Sequence, residues 1–173
     1  MNMHHNYRIE LAKEEHSNRI WDLLQQGILK RKSEGSLQWQ DGYPNQEVVK
    51  QDIKSNSGYI IIDDNDCVVA YIAVVEGIDP IYEEIEGKWA YDLPYVSLHR
   101  LVVDQINFVP GLGTWILQNI EPIIKEKSID LIRVDTNFDN GSMLRVFEKL
   151  GYIYCGKVYI RGAERLAFEK LIS

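Results

Sequence analysis

The sequence predicts an α/β fold with a mixed, mostly antiparallel central sheet flanked by helices, and three observations carry that expectation. The elements read in the order β-α-α-β-β-β-α-β-α-β-β, which neither alternates strictly as a parallel sheet would nor lacks helices. Hydrophobic residues make up 45% and charged residues 26% of the chain, the balance of a chain that can bury a core. Its 173 residues contain no repeat and no Pro/Gly/Ser-rich seam, so a single domain over residues 1–173 is expected.

Each element has a local reason. Residues 7–11 read as a first strand, and Ile20, Trp21, Leu24 and Ile28 recur at helical spacing between positions 14 and 32. After a loop over 35–44, Asn45 can cap a second helix bearing Val48, Val49 and Ile53, with Glu47 in its first turn and an end near Ser55. The β-rich runs 58–63 and 67–75 flank Asp64, Asn65 and Asp66, which have the length and chemistry of a hairpin turn. Residues 76–92 are acidic and read as irregular, and a strand resumes over 95–104. A helix with Leu112, Ile116, Ile120, Ile123 and Ile124 on one face follows, and Pro122 is expected to bend or end it. A strand over 129–135, a helix over 140–150 closed by Gly151, and strands over 152–160 and 165–171 complete the order.

Charge and cysteine usage restrict the partners. With 19 basic against 26 acidic residues the net charge is −7, and the long-range field repels phosphate backbones and anionic headgroups. Nucleic acid and membrane are therefore not expected partners. Cys67 and Cys155 form no spaced set with histidines, so neither a structural metal nor a disulfide framework is expected, and the chain reads as cytoplasmic. The adjacent His4 and His5 read as polar sequence rather than as ligands. Met1 to Ile9 lacks the pattern of a secretion signal, and no apolar run reaches membrane-spanning length.

The strongest chemical signal is a strand followed by Gly111-Leu112-Gly113-Thr114 opening a helix. Glycines there let the backbone approach a ligand, and first-turn N–H groups point at an anion, which is the requirement for cradling a pyrophosphate. The dinucleotide fingerprint fails at Ile116, where its third glycine is required, and the P-loop fails for want of Gly-Lys-Ser/Thr.

The run Leu98-His99-Arg100-Leu101-Val102-Val103, the glycine pair, and Asn140 followed by Phe147-Glu148-Lys149-Leu150-Gly151-Tyr152 together resemble the GNAT superfamily of N-acetyltransferases. The resemblance spans nearly the whole chain and is sharpest from 98 to 152. It implies an acetyl-CoA-dependent transfer of an acetyl group to the primary amine of a small molecule or peptide. A non-catalytic acyl-CoA-binding sensor or interaction module of the same fold is the alternative. The implied cofactor positions are Leu101, Val102 and Val103 along the pantetheine arm, Val109, Gly111, Leu112, Gly113 and Thr114 around the pyrophosphate, and Asn140. In the loop, Phe108 stands where the family carries Gln or Arg, and Pro110 has no N–H, so a modest cofactor affinity is expected.

Both usual proton-transfer positions are altered: Ser97 stands where a Glu base is common and Phe147 where a Tyr acid is common. By strand alternation His99 shares a face with Ser97, and an imidazole is a natural proton acceptor near neutrality. His99 is the expected base, with Asp135 orienting it or the substrate. Should His99 prove structural, Glu84, Glu86 and Asp92 are the next carboxylates to consider. Tyr152, Tyr154 and Tyr159 are candidate acids whose default role is packing, and Cys155 lacks an evident activating partner. Trp39, Tyr43 and Trp89, in the segments the superfamily varies, are the expected acceptor-binding residues, and the acids of 76–92 suit a cationic amine. The apolar residues of the last two strands suggest a homodimer.

Overall fold

The computed structural model describes residues 6–173, so His4 and His5 lie outside the described residues. The elements are β1 (Arg8–Leu11), α1 (Ser17–Ser33), α2 (Gln46–Lys54), β2 (Gly58–Ile62), β3 (Val68–Glu76), α3 (Pro80–Glu83), β4 (Glu86–Gly87), β5 (Tyr95–Val103), α4 (Leu112–Asn119), α5 (Glu121–Glu126), β6 (Leu131–Thr136), α6 (Gly141–Lys149), β7 (Ile153–Ile160) and β8 (Ala163–Leu171). The strands form one eight-stranded sheet in the order β1-β2-β3-β5-β6-β8-β7-β4. The β5–β6 ladder is parallel, whereas β1–β2, β2–β3, β6–β8, β7–β8 and β4–β7 are antiparallel. This is the mixed, mostly antiparallel sheet with flanking helices that the element order predicts.

The chain divides into two compact units. One comprises the residues up to Val74 with His99–Gly113, and the other comprises Val75–Leu98 with Thr114–Ser173. In the first, α1 buries Ile20, Leu23, Leu24 and Gly27. That stripe is rotated from the one expected, because Trp21 and Ile28 are only half-buried while Leu23 and Gly27 face the core. The Asn45 side chain accepts from Val48 N at 3.0 Å and caps α2, which gives way to Ser55 as the spacing predicts. In the hairpin turn, Asp63 Oδ1 accepts from Asn65 N and Cys67 N, so β3 begins at Val68 and leaves Cys67 exposed.

In the second unit, β6, β7 and β8 pack Leu131, Val158 and Ala167 with Tyr82 and Tyr95 into a core cluster. Residues 76–92 are more ordered than the composition predicts. Asp79 accepts from Ile81 N at 3.0 Å and Pro80 stands in the first turn of α3, a start signal present in the sequence. β4 then pairs with β7 at Glu86↔Lys157 and Gly87↔Gly156, where the backbones come so close that a Cβ on either glycine would fall 2.2 Å from a carbonyl oxygen. The predicted helix after Gly111 is split by Pro122 into α4 and α5, with Ile120 between them. Asn140 caps α6 by accepting from Met143 N, and Gly151, at φ +85°, closes it.

Candidate active site

β5 supplies the first half of the site. Its parallel ladder with β6 joins Tyr95↔Leu131, Val96↔Ile132 and Ser97↔Arg133, and β5 then runs on through Leu98 to Val103. Midway, Arg100 adopts φ +56°, a left-handed conformation that costs a non-glycine residue and breaks the alternation of the strand. The side chain holds it there. Arg100 Nε and Nη2 donate to the two oxygens of Asp52 at 2.8 and 2.6 Å, and Nη1 donates to the Tyr43 hydroxyl at 2.5 Å. Tyr71 donates to the same carboxylate at 2.5 Å, and burial together with Asp52 raises the pKa of its hydroxyl, so it remains a donor. Arg100 and Asp52 side chains are 8% and 6% exposed, so this pair is a buried, fully hydrogen-bonded clamp.

Beyond the kink, Val102 is buried while Leu101 and Val103 remain half-buried. Asp104 then shapes the loop: Oδ1 accepts from Ile106 N and Asn107 N, and Oδ2 accepts from Arg19 Nη2 at 2.9 Å. Burial opposes ionisation, but these amides and the guanidinium hold the Asp104 carboxyl below its usual pKa. Gly111, at φ +84°, makes the turn into α4. Leu112 N bonds Val109 O at 3.3 Å, whereas no backbone acceptor takes the N–H of Gly113 or Thr114. A Cβ at Gly111 or Gly113 would meet nothing within 4 Å, so the space before these amides is open. Of the expected cradle residues, Gly113 and Thr114 thus give α4 an open N-terminus with donors that no backbone acceptor takes, a geometry that fits an anion, whereas the Leu112 amide is already bonded.

Of the expected acceptor residues, Trp39 and Tyr43 belong to the same unit as this strand and loop. Trp39, at φ +64°, lays its ring against α1, where a Cβ on Gly27 would fall 2.9 Å from Cζ3, and Tyr43 is tied to Arg100. Trp89 lies in the other unit with its indole N–H donating to Tyr82 O at 2.8 Å. The Arg133 guanidinium lies 4.2 Å from the ring centroids of both Trp89 and Tyr95, so a cation of the chain itself occupies a face of the indole.

His99 is half-buried on β5. Asp135, the last residue but one of β6, is half-buried, and its Oδ2 accepts from the Tyr82 hydroxyl at 2.6 Å. Burial and the Asp135 carboxylate push the Tyr82 hydroxyl well above its ordinary pKa, so Tyr82 is the donor. Tyr82 was not legible as a functional residue, because its role depends on a partner 53 positions away. Asn140 uses its side chain as the cap of α6 and donates to Thr136 Oγ1 at 3.2 Å. Ser97 is 1% exposed with its hydroxyl unbonded, and Phe147 packs at a tilt against Tyr152 and Phe168, with centroids 5.2 Å away from each. Tyr152 is also buried with an unbonded hydroxyl, whereas Tyr159 donates to Glu86 at 2.9 Å and Tyr154 is exposed. Burial, then Glu169, pushes the Cys155 thiol up to about 11, which keeps it protonated and unreactive at neutrality. Among the described residues no group of three or more His, Cys, Asp or Glu could hold a metal ion. Nor, among them, is any helix long and apolar enough to cross a membrane.

The family model "Acetyltransferase (GNAT) family" matches residues 9–152. A GNAT-family acetyltransferase from Streptococcus agalactiae is 33% identical, with 96% of each chain covered and a TM-score of 0.87. GNAT-family acetyltransferases from Listeria monocytogenes and Bacillus cereus share the fold. The first is 18% identical with a TM-score of 0.77, covering 96% of this chain and 95% of its own. The second is 16% identical with a TM-score of 0.63, covering 97% and 99%. No curated protein matches the chain. The chain belongs to the GNAT acetyltransferase family.

Proposed function

We propose that residues 1–173 act as one N-acetyltransferase domain that transfers an acetyl group from acetyl-CoA to the primary amine of a small molecule or peptide. The observation that carries this reading is the open N-terminus of α4, where Gly113 and Thr114 present N–H groups with no backbone acceptor. The pyrophosphate is assigned to Val109, Gly111, Leu112, Gly113 and Thr114, the pantetheine to the backbone of Leu101, Val102 and Val103, and a supporting hydrogen bond to Asn140. The β5 edge past Ser97 lies outside the β5–β6 ladder, which leaves main-chain groups for that pairing.

In the reaction the neutral amine attacks the thioester carbonyl, the new C–N bond forms as the C–S bond breaks, and the thiolate leaves. His99 is assigned as the acceptor of the ammonium proton, directly or through a water, and Asp135, fixed by Tyr82, as the carboxylate that orients His99 or the incoming cation. A thiol of pKa near 8.5 leaves without strong acid assistance, which suits a site with Phe147 in place of a tyrosine. Trp39, Tyr43 and Trp89 are assigned to the acceptor. A cytoplasmic location is part of this reading, resting on a sequence with two cysteines and no spaced set that would form a disulfide framework.

The experiment is a thiol-release assay with acetyl-CoA against polyamines, aminoglycosides, amino acids and peptides, paired with calorimetry of CoA binding. Gly113→Glu, which places bulk and negative charge at the assigned phosphates, is expected to abolish binding while the protein stays folded. Unchanged affinity in that variant moves the cradle elsewhere. The buried, unbonded Ser97 and the Phe147 ring packed among aromatics favour a second reading, an acyl-CoA-binding module without catalysis. CoA binding without turnover on the whole panel selects it.

A further inference from the structure

The loop that opens α4 carries no basic side chain of its own, and Phe108 occupies the position where the resemblance leads one to expect Gln or Arg. An ammonium nevertheless reaches this loop from another element. Lys30, near the end of α1, places Nζ 5.8 Å from the centroid of the Phe108 ring. Two contacts fix α1 against the same stretch of chain. Gln26 Oε1 accepts from Gln105 N at 2.8 Å, and at Gly27 a Cβ would fall only 3.1 Å from Val102 Cγ2. Positions 26, 27 and 30 share one helix face, so the close approach at Gly27 carries Lys30 to the loop one turn later.

The charge of Lys30 is also uncommitted. Its neighbour Arg31 pairs with Glu34, whereas Lys30 meets no carboxylate within ion-pair distance among the described residues, although it is half-buried. A partly desolvated cation gains more from an anion than one in bulk water, and an aromatic face holds it in place without neutralising it. The same loop leads to the free amides of Gly113 and Thr114.

We propose that Lys30 binds a phosphate of the acyl-CoA at the α4 loop, delivering from α1 the positive charge that the loop itself lacks, with the Phe108 ring as its support. This rests on the acetyl-CoA reading above. It also replaces the modest affinity expected from the loop alone with one that depends on salt and on a single lysine of a distant element.

The test is calorimetry of CoA and dephospho-CoA on the wild type, Lys30→Met, Lys30→Arg and the control Lys32→Met, each at two ionic strengths. Lys30→Met is expected to weaken CoA binding roughly tenfold, the size of one charge-assisted hydrogen bond, and to flatten its salt dependence. Lys30→Arg and Lys32→Met should bind as the wild type does. An equal loss for both ligands places the ammonium on the pyrophosphate, and a loss confined to CoA places it on the ribose phosphate. Wild-type affinity and salt dependence in Lys30→Met overturn the proposal while leaving the acetyl-CoA reading intact. A wild type that binds neither ligand overturns both. Should Lys30→Met fail to fold, Lys30→Gln keeps the helix propensity and the polar tip, and the same comparison applies.

Discussion

His99 carries the proton-transfer assignment because the two positions usual for this chemistry are disabled in different ways. Ser97 has a hydroxyl too weakly basic for the task, and Phe147 has no proton to give and is packed among aromatic rings. His99→Ala is expected to lower kcat by roughly tenfold to 10⁴-fold with little change in CoA affinity. If His99 takes the proton, the acidic limb of the pH–rate profile should move or vanish in the variant. Full activity with an unchanged profile on a validated acceptor makes His99 structural. Strand alternation in the sequence suffices to place His99 beside Ser97 on β5, but not to show the Tyr82 bond to Asp135, since nothing near Tyr82 in the sequence points to a carboxylate on β6.

At the scale of elements, β5 is the component whose geometry the rest of the site depends on. Its left-handed residue is an arginine, and the conformation persists because α2 supplies Asp52 and the 35–44 loop supplies Tyr43 to the same guanidinium. Asp52→Ala leaves that buried cation uncompensated and is expected to cost roughly 3–5 kcal/mol, read as a lower denaturant midpoint at unchanged slope. A loss below about 1 kcal/mol would mean that Arg100 is held by the strand rather than by the clamp. The helices, by contrast, were readable in place. Asn45, Asn140, Gly151 and Pro122 each act on backbone groups within a few residues of themselves. The acidic segment 76–92 shows the opposite case. Its Asp-Pro start signal was present, but Arg133 between two rings and Glu169 against Ala90 N fix it from strands far away in the chain.

For the whole molecule, the dimer suggested by the last two strands has specific residues behind it. Tyr152 and Val158 turn inward, while Ile153, Tyr154 and Tyr159 are 52%, 53% and 43% exposed on β7. We propose that a second copy covers them. Sedimentation at micromolar concentration is expected to show a species of twice 20.1 kDa, and Tyr154→Lys to return it to the single-chain mass. A wild-type species of 20.1 kDa rejects the dimer. By itself the sequence determined the class of fold, the order of its elements apart from α3 and β4, the ends of most helices and the glycine turn that opens α4. These follow from hydrophobic period, capping chemistry and glycine or proline geometry, all interactions that close within a few positions. Only the tertiary structure decided that Arg100 leaves the strand conformation, that Tyr82 grips Asp135 and that Lys30 reaches Phe108. Each joins side chains far apart in the chain, 48 positions for Asp52 with Arg100 and 53 for Tyr82 with Asp135, and no local preference encodes a contact that exists only once the sheet has brought its strands together.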